Sequence, residues 1–294
     1  MSHKAGFISI IGKPNVGKST LMNRMLGEKL SIVTPKAQTT RHRIKGILNG
    51  ENYQVVFSDT PGIIEPHYLL HDKMMEFVTA SLADADAVLF ITDLEETYMD
   101  ESMMARLKAI NIPVIVVINK VDQSSPDEIN KLVHGWKKKL SPHAVIPASA
   151  LNEFNVDRIT DSILEILPEA PAFFPKDELS DQTERFFVTE IIREKIFMNY
   201  EKEIPYSTEV GIETFVEERE IVKIRALIYV ERDSQKGIII GNRGEAIKRV
   251  GMQARKDIES FLNKKVFLEL FVKVEKEWRK NELQLKRFGY TSKS

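Results

Sequence analysis

Apolar residues in the first 170 positions fall into two alternating patterns. Unbroken runs at 87–93 and 113–119 (PVIVVIN) are what strands covered on both faces of a parallel sheet require. Shorter runs at 7–11, 44–48, 54–58 and 144–147 predict further strands, and Asn49-Gly50 between two of them predicts a hairpin. Between these runs, apolar residues recur at helical spacing over 18–26, 72–82, 101–110, 127–140 and 156–167. Strand and helix alternating in this way predict a doubly wound α/β domain with a mostly parallel sheet over 1–170.

The pattern then breaks. Pro168, Pro171 and Pro175 lie close together and a polar stretch follows, so 171–184 reads as a linker or strap on which Phe173 and Phe174 pack against a neighbour. Beyond it the periodicity predicts a helix at 185–197, strands at 207–217 and 220–231, a glycine-rich turn between helices, a long helix at 245–263 and a strand at 266–274. The order α–β–β–α–α–β makes 185–294 an α+β domain, with a tail at 277–288 expected to be helical. No internal repeat is visible.

Composition narrows the classes. At 43% apolar and 29% charged residues the chain has enough apolar surface to build cores, which excludes disorder as its main state. It has no cysteine, which excludes disulfide scaffolds, thiolate zinc sites, iron–sulfur clusters and thiol catalysis. The N-terminal stretch does not read as a signal peptide, and no apolar run approaches the ~18 residues of a membrane span. The 42 Lys and Arg balance 43 Asp and Glu overall, yet residues 236–294 carry 15 basic against 7 acidic side chains. Such an excess beside a glycine-rich turn is an electrostatic footprint for a polyanion.

Four motifs stand in order at strand-to-loop junctions. Gly12, Lys13, Pro14, Asn15, Val16, Gly17, Lys18 and Ser19 match the phosphate loop G-x-x-x-x-G-K-S between a strand and a helix. Its backbone N–H groups form a concave anion site, Lys18 offers a charge to the β and γ phosphates, and the Ser19 hydroxyl offers a ligand to Mg²⁺. Asp59, Thr60, Pro61 and Gly62 follow the strand at 54–58; Asp59 can hold Mg²⁺ through water, and Gly62 offers an N–H to a terminal phosphate. Asn119, Lys120, Val121 and Asp122 end the run at 113–119. The Asp122 carboxylate can accept from the ring N–H and the amine of guanine, groups that adenine lacks, which leaves the carboxylate unpaired against adenine. Lys120 can lie along the base, Asn119 can tie the base loop to the phosphate loop, and Ser149-Ala150 would place a backbone N–H on the guanine carbonyl. Together the four motifs mark a GTPase using GTP/GDP and Mg²⁺.

The chain resembles the translation-factor-related branch of P-loop GTPases. In that branch a Thr just before Arg closes over Mg²⁺ when GTP is bound; in Gln38-Thr39-Thr40-Arg41-His42 the match is Thr40, with Thr39 the alternative. The resemblance gives Lys18, Thr40 and Gly62 catalytic roles. Ile63 stands where many small GTPases carry the glutamine that orients water, and no arginine finger is evident beyond nearby Arg41 and Arg43. By resemblance to potassium-activated GTPases, Asn15 implies that K⁺ takes the finger's place.

Gly241, Asn242, Arg243 and Gly244 lie between helices, with Lys236 before them and Lys248 and Arg249 after. Two glycines around two polar residues let a phosphodiester backbone pass close to the chain, as in the clamp of a type-2 K-homology domain. One GTPase motif set followed by this clamp resembles the Era family of bacterial Ras-like GTPases over essentially the whole chain. The resemblance implies a monomer that binds 16S rRNA near its 3′ end, acts in maturation of the 30S ribosomal subunit, and is cytoplasmic with a fraction on the inner membrane. Two other readings stay open: an RNA-binding module whose nucleotide site only regulates docking, and a membrane-associated signalling GTPase.

Some features read as structure. His67 and His71 are spaced for a metal but lack a third ligand. Asp84 and Asp86 read as loop polarity. Trp278, Leu285 and Phe288, among Lys276, Arg279, Lys280, Lys286 and Arg287, form either a membrane-facing stripe or, as is commoner for such a helix, a packing face.

Overall fold

In the computed structural model, residues 3–95 and 101–291 are described, with the backbone alone for 101–103. The chain divides into two units. The first takes the chain up to Ser31, Thr40–Glu65 and Met74–Asp181; the second takes Ile32–Thr39, Pro66–Lys73 and everything from Gln182 onward.

The first unit contains β1 (Lys4–Ile11), α1 (Lys18–Leu26), β2 (Ile44–Asn49), β3 (Tyr53–Asp59), most of α2 (Leu69–Ala83), β4 (Ala87–Thr92), α3 (Glu101–Ala109), β5 (Val114–Ile118), α4 (Pro126–Leu140), β6 (Ala144–Pro147) and α5 (Val156–Ile166). Six strands form one sheet in the order β2-β3-β1-β4-β5-β6; only β2 runs antiparallel to its neighbour. Every residue of β4 and β5 is buried, the reason their sequences are unbroken apolar runs. The strand order reverses beside β1, so the loops after β1, β3, β4 and β5 gather at the carboxyl ends of the strands. The β2–β3 hairpin forms as expected; Asn49 pairs with Gln54 and the loop is Gly50 to Asn52.

The prolines after α5 lead into a strap that covers the outer edge of β2. Ile47 N–H donates to the Leu179 carbonyl (2.9 Å) and Ser180 Oγ to the Lys45 carbonyl (2.5 Å). Buried Gln54 fastens it: Oε1 accepts from the N–H groups of Phe173 (2.7 Å) and Phe174 (3.0 Å), and Nε2 donates to the Phe174 carbonyl (2.8 Å). The Phe173 ring lies 4.8 Å from that of Phe7, which is the neighbour it packs on, although half of its surface stays in water.

In the second unit α6 (Glu184–Asn199), α7 (Ile204–Ser207), β7 (Glu209–Glu217), β8 (Ile221–Val230), α8 (Asp233–Ile240), α9 (Glu245–Leu262), β9 (Lys265–Val274) and α10 (Glu282–Arg287) follow in order. The sheet order is β7-β8-β9, with the first pair antiparallel and the second parallel. Alternate residues of β8 (Val222, Ile224, Ala226, Ile228) meet Val188, Ile192 and Ile196 of α6 and Val250, Ala254 and Ile258 of α9 in one core. The tail is not the continuous helix expected. Glu277 adopts a left-handed conformation (φ 51°) and Asn281 is extended, capping α10 by accepting from Gln284 N–H. Trp278 and Leu285 are fully buried, and Trp278 Nε1 donates to the Ser207 carbonyl (3.0 Å), so these side chains form a packing face and not a stripe open to lipid. Among the described residues no helix is long and apolar enough to cross a membrane.

Candidate functional site

The phosphate loop joins β1 to α1. Gly17, the residue before the helix, takes φ 100°, and a Cβ there would lie 2.2 Å from Asn119 Nδ2, so only glycine fits. No side chain caps the N-terminus of α1 and its first turn has no acid, which leaves a positive helix end facing the loop. Lys18 is buried, its Nζ donating to the carbonyls of Gly12 (3.1 Å) and Lys13 (2.7 Å). Asn15 is exposed with φ 64°.

Three oxygens converge beside Lys18. Ser19 Oγ donates to Asp59 Oδ2 (2.6 Å) and lies 2.9 Å from Thr40 Oγ1. Asp59 is fully buried, and its Oδ1 has no hydrogen-bond partner among the described residues. Burial pushes its carboxyl upward, against the pull of the Ser19 hydroxyl and the Lys18 charge. A buried, incompletely satisfied carboxylate beside two hydroxyls is a hard-oxygen donor set of the kind Mg²⁺ takes. The residues therefore fit the ion expected from the sequence.

The loop after β3 is pinned by Thr60 Oγ1 on the Ile10 carbonyl (2.7 Å) and by Ile63 N–H on the Gly12 carbonyl (3.1 Å), which brings Pro61 and Gly62 alongside the phosphate loop. The Ile63 side chain packs on the core around Ile11, Val78 and Phe90, so it cannot orient water. Nor do the neighbouring arginines stand ready. Arg41 is fully buried, while Arg43 donates to Ser58 Oγ (3.1 Å) and pairs with Asp84 (2.7 Å). Asp86, the other acid read as loop polarity, accepts from Phe7 N–H (2.7 Å).

Asn119 joins three loops. Its Nδ2 donates to the Val16 carbonyl (2.8 Å) and its Oδ1 accepts from Ala150 N–H (2.9 Å). The first bond is the tie between base loop and phosphate loop read from the sequence. The second alters the role expected of Ser149-Ala150. Ala150 N–H is held by Asn119 and Ser149 N–H by the Phe154 carbonyl (3.1 Å), so a guanine carbonyl would have to share the Ala150 donor. Lys120 takes φ 63° and pairs with Asp93 at the end of β4 (2.7 Å), a partner the motif does not mark. Val121 is buried in the floor of the loop, and Asp122 is exposed above it.

The second candidate site lies in the other unit. Gly241 ends α8 with φ 73°, where a Cβ would lie 2.5 Å from that of Ala246. Asn242 to Gly244 make one tight turn into α9, with Arg243 at φ 49°. Asn242, Arg243, Lys248 and Arg249 are exposed or half-buried around that turn, and Lys236 lies on α8 before it. Alongside runs a groove of about 260 Å³ lined by Ile247, Lys248, Met252 and Arg255 of α9 and Leu268 and Leu270 of β9. Sequence reasoning missed Met252 and Arg255. Their signal is helical spacing from Lys248, which places all three on one face.

His67 and His71 come within 6.0 Å ring to ring, but His71 is buried against Tyr68 and Gln38. Among the described residues no cluster of three or more His, Asp or Glu side chains suits a metal.

Comparison with known proteins agrees with this geometry. Residues 7–120 match the family model "50S ribosome-binding GTPase", and residues 203–279 match "KH domain". The chain is 45% identical over 291 residues to a GTPase named Era from Staphylococcus haemolyticus, covering 98% of this chain and 97% of that protein. A solved structure of Era in complex with MgGDPNP and nucleotides 1506–1542 of 16S ribosomal RNA superimposes with a TM-score of 0.95 at 40% identity, covering 98% of this chain and 99% of that one. A variant of Aquifex aeolicus Era bound to GDP and AlF₄⁻ gives 0.94 at 40% identity and the same coverage.

Proposed function

The chain belongs to the Era family of GTPases, and from that premise we propose that it is a switch that hydrolyses GTP, binds 16S rRNA near its 3′ end, and acts in assembly and maturation of the 30S ribosomal subunit. The observation that carries the nucleotide half is the convergence of Ser19, Thr40 and Asp59 beside the buried Lys18 ammonium. In this reading Lys18 and the phosphate-loop N–H groups hold the β and γ phosphates, and Gly62 N–H meets the terminal one. Ser19, Thr40 and Asp59 hold the magnesium, which supplies positive charge to the phosphate oxygens. Asp122 reads the guanine edge while Asn119 keeps its loop in register with the phosphate loop.

Hydrolysis needs a water-orienting group and a counter-charge. Ile63 supplies neither, Arg41 is buried, and Arg43 is already engaged by Ser58 and Asp84. This favours a monovalent cation at Asn15 in the arginine's place. The RNA half rests on the turn at 241–244 with Asn242, Arg243, Lys248 and Arg249 around it. Its groove accepts single-stranded bases while the turn and the basic residues take the backbone. The protein works in the cytoplasm as a monomer. The inner-membrane fraction implied by the family would have to use a surface other than Trp278 and Leu285.

Phosphate release in potassium and in sodium at equal ionic strength, with and without small ribosomal subunits, tests the whole reading. Turnover should be faster in potassium and should vanish in Lys18→Ala, whose nucleotide affinity should fall at least about tenfold as a charge-assisted hydrogen bond to phosphate disappears. Equal rates in the two salts would remove the cation. Unchanged nucleotide affinity in Lys18→Ala would remove the site.

A further inference from the structure

Arg193 and Glu190, on α6, belong to neither site above, yet both are about as buried as any side chain in the protein, at 1% and 2% exposure. Arg193 Nε and Nη2 donate to the Glu190 carboxylate at 2.8 and 2.6 Å. Burial opposes the charge on the guanidinium, but the Glu190 carboxylate outweighs it and holds the group firmly protonated. A buried ion pair is a poor device for stability, since a well-packed apolar pair of similar volume does as well or better. What an apolar pair cannot do is grip a backbone carbonyl. Arg193 Nη2 does that, donating to the carbonyl of Thr39 at 2.5 Å.

Thr39 belongs to the stretch Ile32–Thr39, which lies in the same unit as α6. Three more bonds hold that stretch to the helix and the residue after it. Lys36 Nζ donates to the carbonyls of Phe197 (2.6 Å) and Tyr200 near the helix C-terminus, and Val33 N–H donates to Glu194 (3.3 Å). Inside the stretch the Thr39 hydroxyl is bound to the Lys36 carbonyl (2.7 Å) and to Thr34 Oγ1 (2.6 Å). Thr39 is therefore fixed through its carbonyl and its side chain. The next residue is Thr40, whose hydroxyl stands 2.9 Å from Ser19 Oγ. One residue of backbone leaves little room for Thr40 to move while Thr39 is held.

We propose that Arg193 is a positioning residue for the GTP state: by holding the Thr39 carbonyl it sets the Thr40 hydroxyl at the magnesium site, and so favours GTP over GDP without touching either nucleotide. The inference rests on the assignment of Thr40 made above. Its signature is selective. Thr40 matters when magnesium and a γ-phosphate are both present, so loss of the grip should weaken GTP binding and leave GDP binding alone.

The test compares equilibrium affinities for GDP and for a non-hydrolysable GTP analogue, together with the magnesium concentration that half-saturates analogue binding. Glu190→Leu with Arg193→Met removes both charges, so neither is stranded in the core. Arg193→Lys keeps a cation opposite Glu190 but loses the forked reach. Lys36→Ala loosens the same stretch without entering the buried pair, and it serves if the double variant does not fold. The double variant should bind GDP as wild type does, bind the analogue about tenfold more weakly, and need more magnesium. Arg193→Lys should fall between, and Lys36→Ala should shift the same ratio in the same direction. Parallel losses for both nucleotides, or an unchanged ratio, would overturn the proposal and leave Arg193 as a packing element. Wild-type protein that bound neither nucleotide would instead overturn the reading of the site itself.

Discussion

At the scale of single residues, selectivity comes down to a few atoms. Asp122 is exposed, so its carboxylate is accessible to a ligand at the base loop. Asp122→Asn turns one acceptor into a donor, which meets the guanine amine badly and the xanthine carbonyl well. Competition binding should show preference moving from guanine to xanthine nucleotides, with GTP weakened by about 1.5–3 kcal/mol. A variant that still prefers GTP would assign base reading to another group. The motif residues stand out in the sequence as candidates because each chemistry asks for a residue type at a strand end, and strand ends are marked by where apolar runs stop. Asp93 was not legible, since its role comes from Lys120 across the loop. Arg193 was hidden more deeply. Glu190, Arg193, Glu194 and Lys195 are four charged residues buried on one helix, and by composition alone such residues read as a solvated face.

Helices, strands and turns depend on how their ends and edges are satisfied. α4 begins with a capping box: Ser125 Oγ accepts from Glu128 N–H, and the Glu128 carboxylate accepts from Ser124 Oγ, Ser125 N–H and Ser125 Oγ. These bonds, led by that from Ser124, hold the Glu128 carboxyl below the ordinary carboxylate range. A depressed carboxylate contributes its stability above its unfolded pKa and loses it as pH falls through the folded one. Glu128→Gln should therefore lower stability at neutral pH and flatten the acid limb of a thermal-melt series, the two proteins converging at low pH. An unaltered acid limb would show that the box contributes nothing there. At the strap, Gln54→Leu leaves the N–H groups of Phe173 and Phe174 without their acceptor. The first unit should lose about 1–3 kcal/mol in chemical denaturation, and protease should cut within 171–181 sooner. A variant of wild-type stability and protease resistance would show that the strap is held elsewhere. The elements themselves were legible from periodicity and the hairpin from Asn49-Gly50, the tail less so. The Asn-Gly signal marked the hairpin correctly, and the pairing register carries Asn49 one position further into the strand than the apolar run does. The break in the tail did carry a local mark, Asn281 capping Gln284, which apolar spacing from Trp278 to Phe288 outweighed.

For the molecule as a whole, the phosphate-loop motif and the turn proposed to bind RNA belong to separate units, and the two proposed functions should be separable by mutation. Asn242→Asp with Arg243→Asp puts two carboxylates where a phosphodiester must pass, and it keeps both glycines of the turn. Affinity for single-stranded rRNA fragments should fall, and its salt dependence should flatten by about 0.7 for each phosphate no longer neutralised. Nucleotide affinity should persist. RNA affinity that survived would move the binding surface to other basic residues of 236–294. The assignment of Ile32–Thr39 and Pro66–Lys73 to the second unit was invisible to periodicity, because it arises from residues far apart in the chain that meet only once it is folded. The strap has a consequence during synthesis. The chain leaves the ribosome from its N-terminus, and the bonds that cover the outer edge of β2 come from residues as late as Leu179 and Ser180. Until those residues emerge, a nascent chain already long enough to fold its first sheet carries an open strand edge, a template for pairing with any neighbouring chain. Translational pausing before residues 179 and 180 have cleared the exit tunnel would prolong that exposure, and pausing once they have emerged would not.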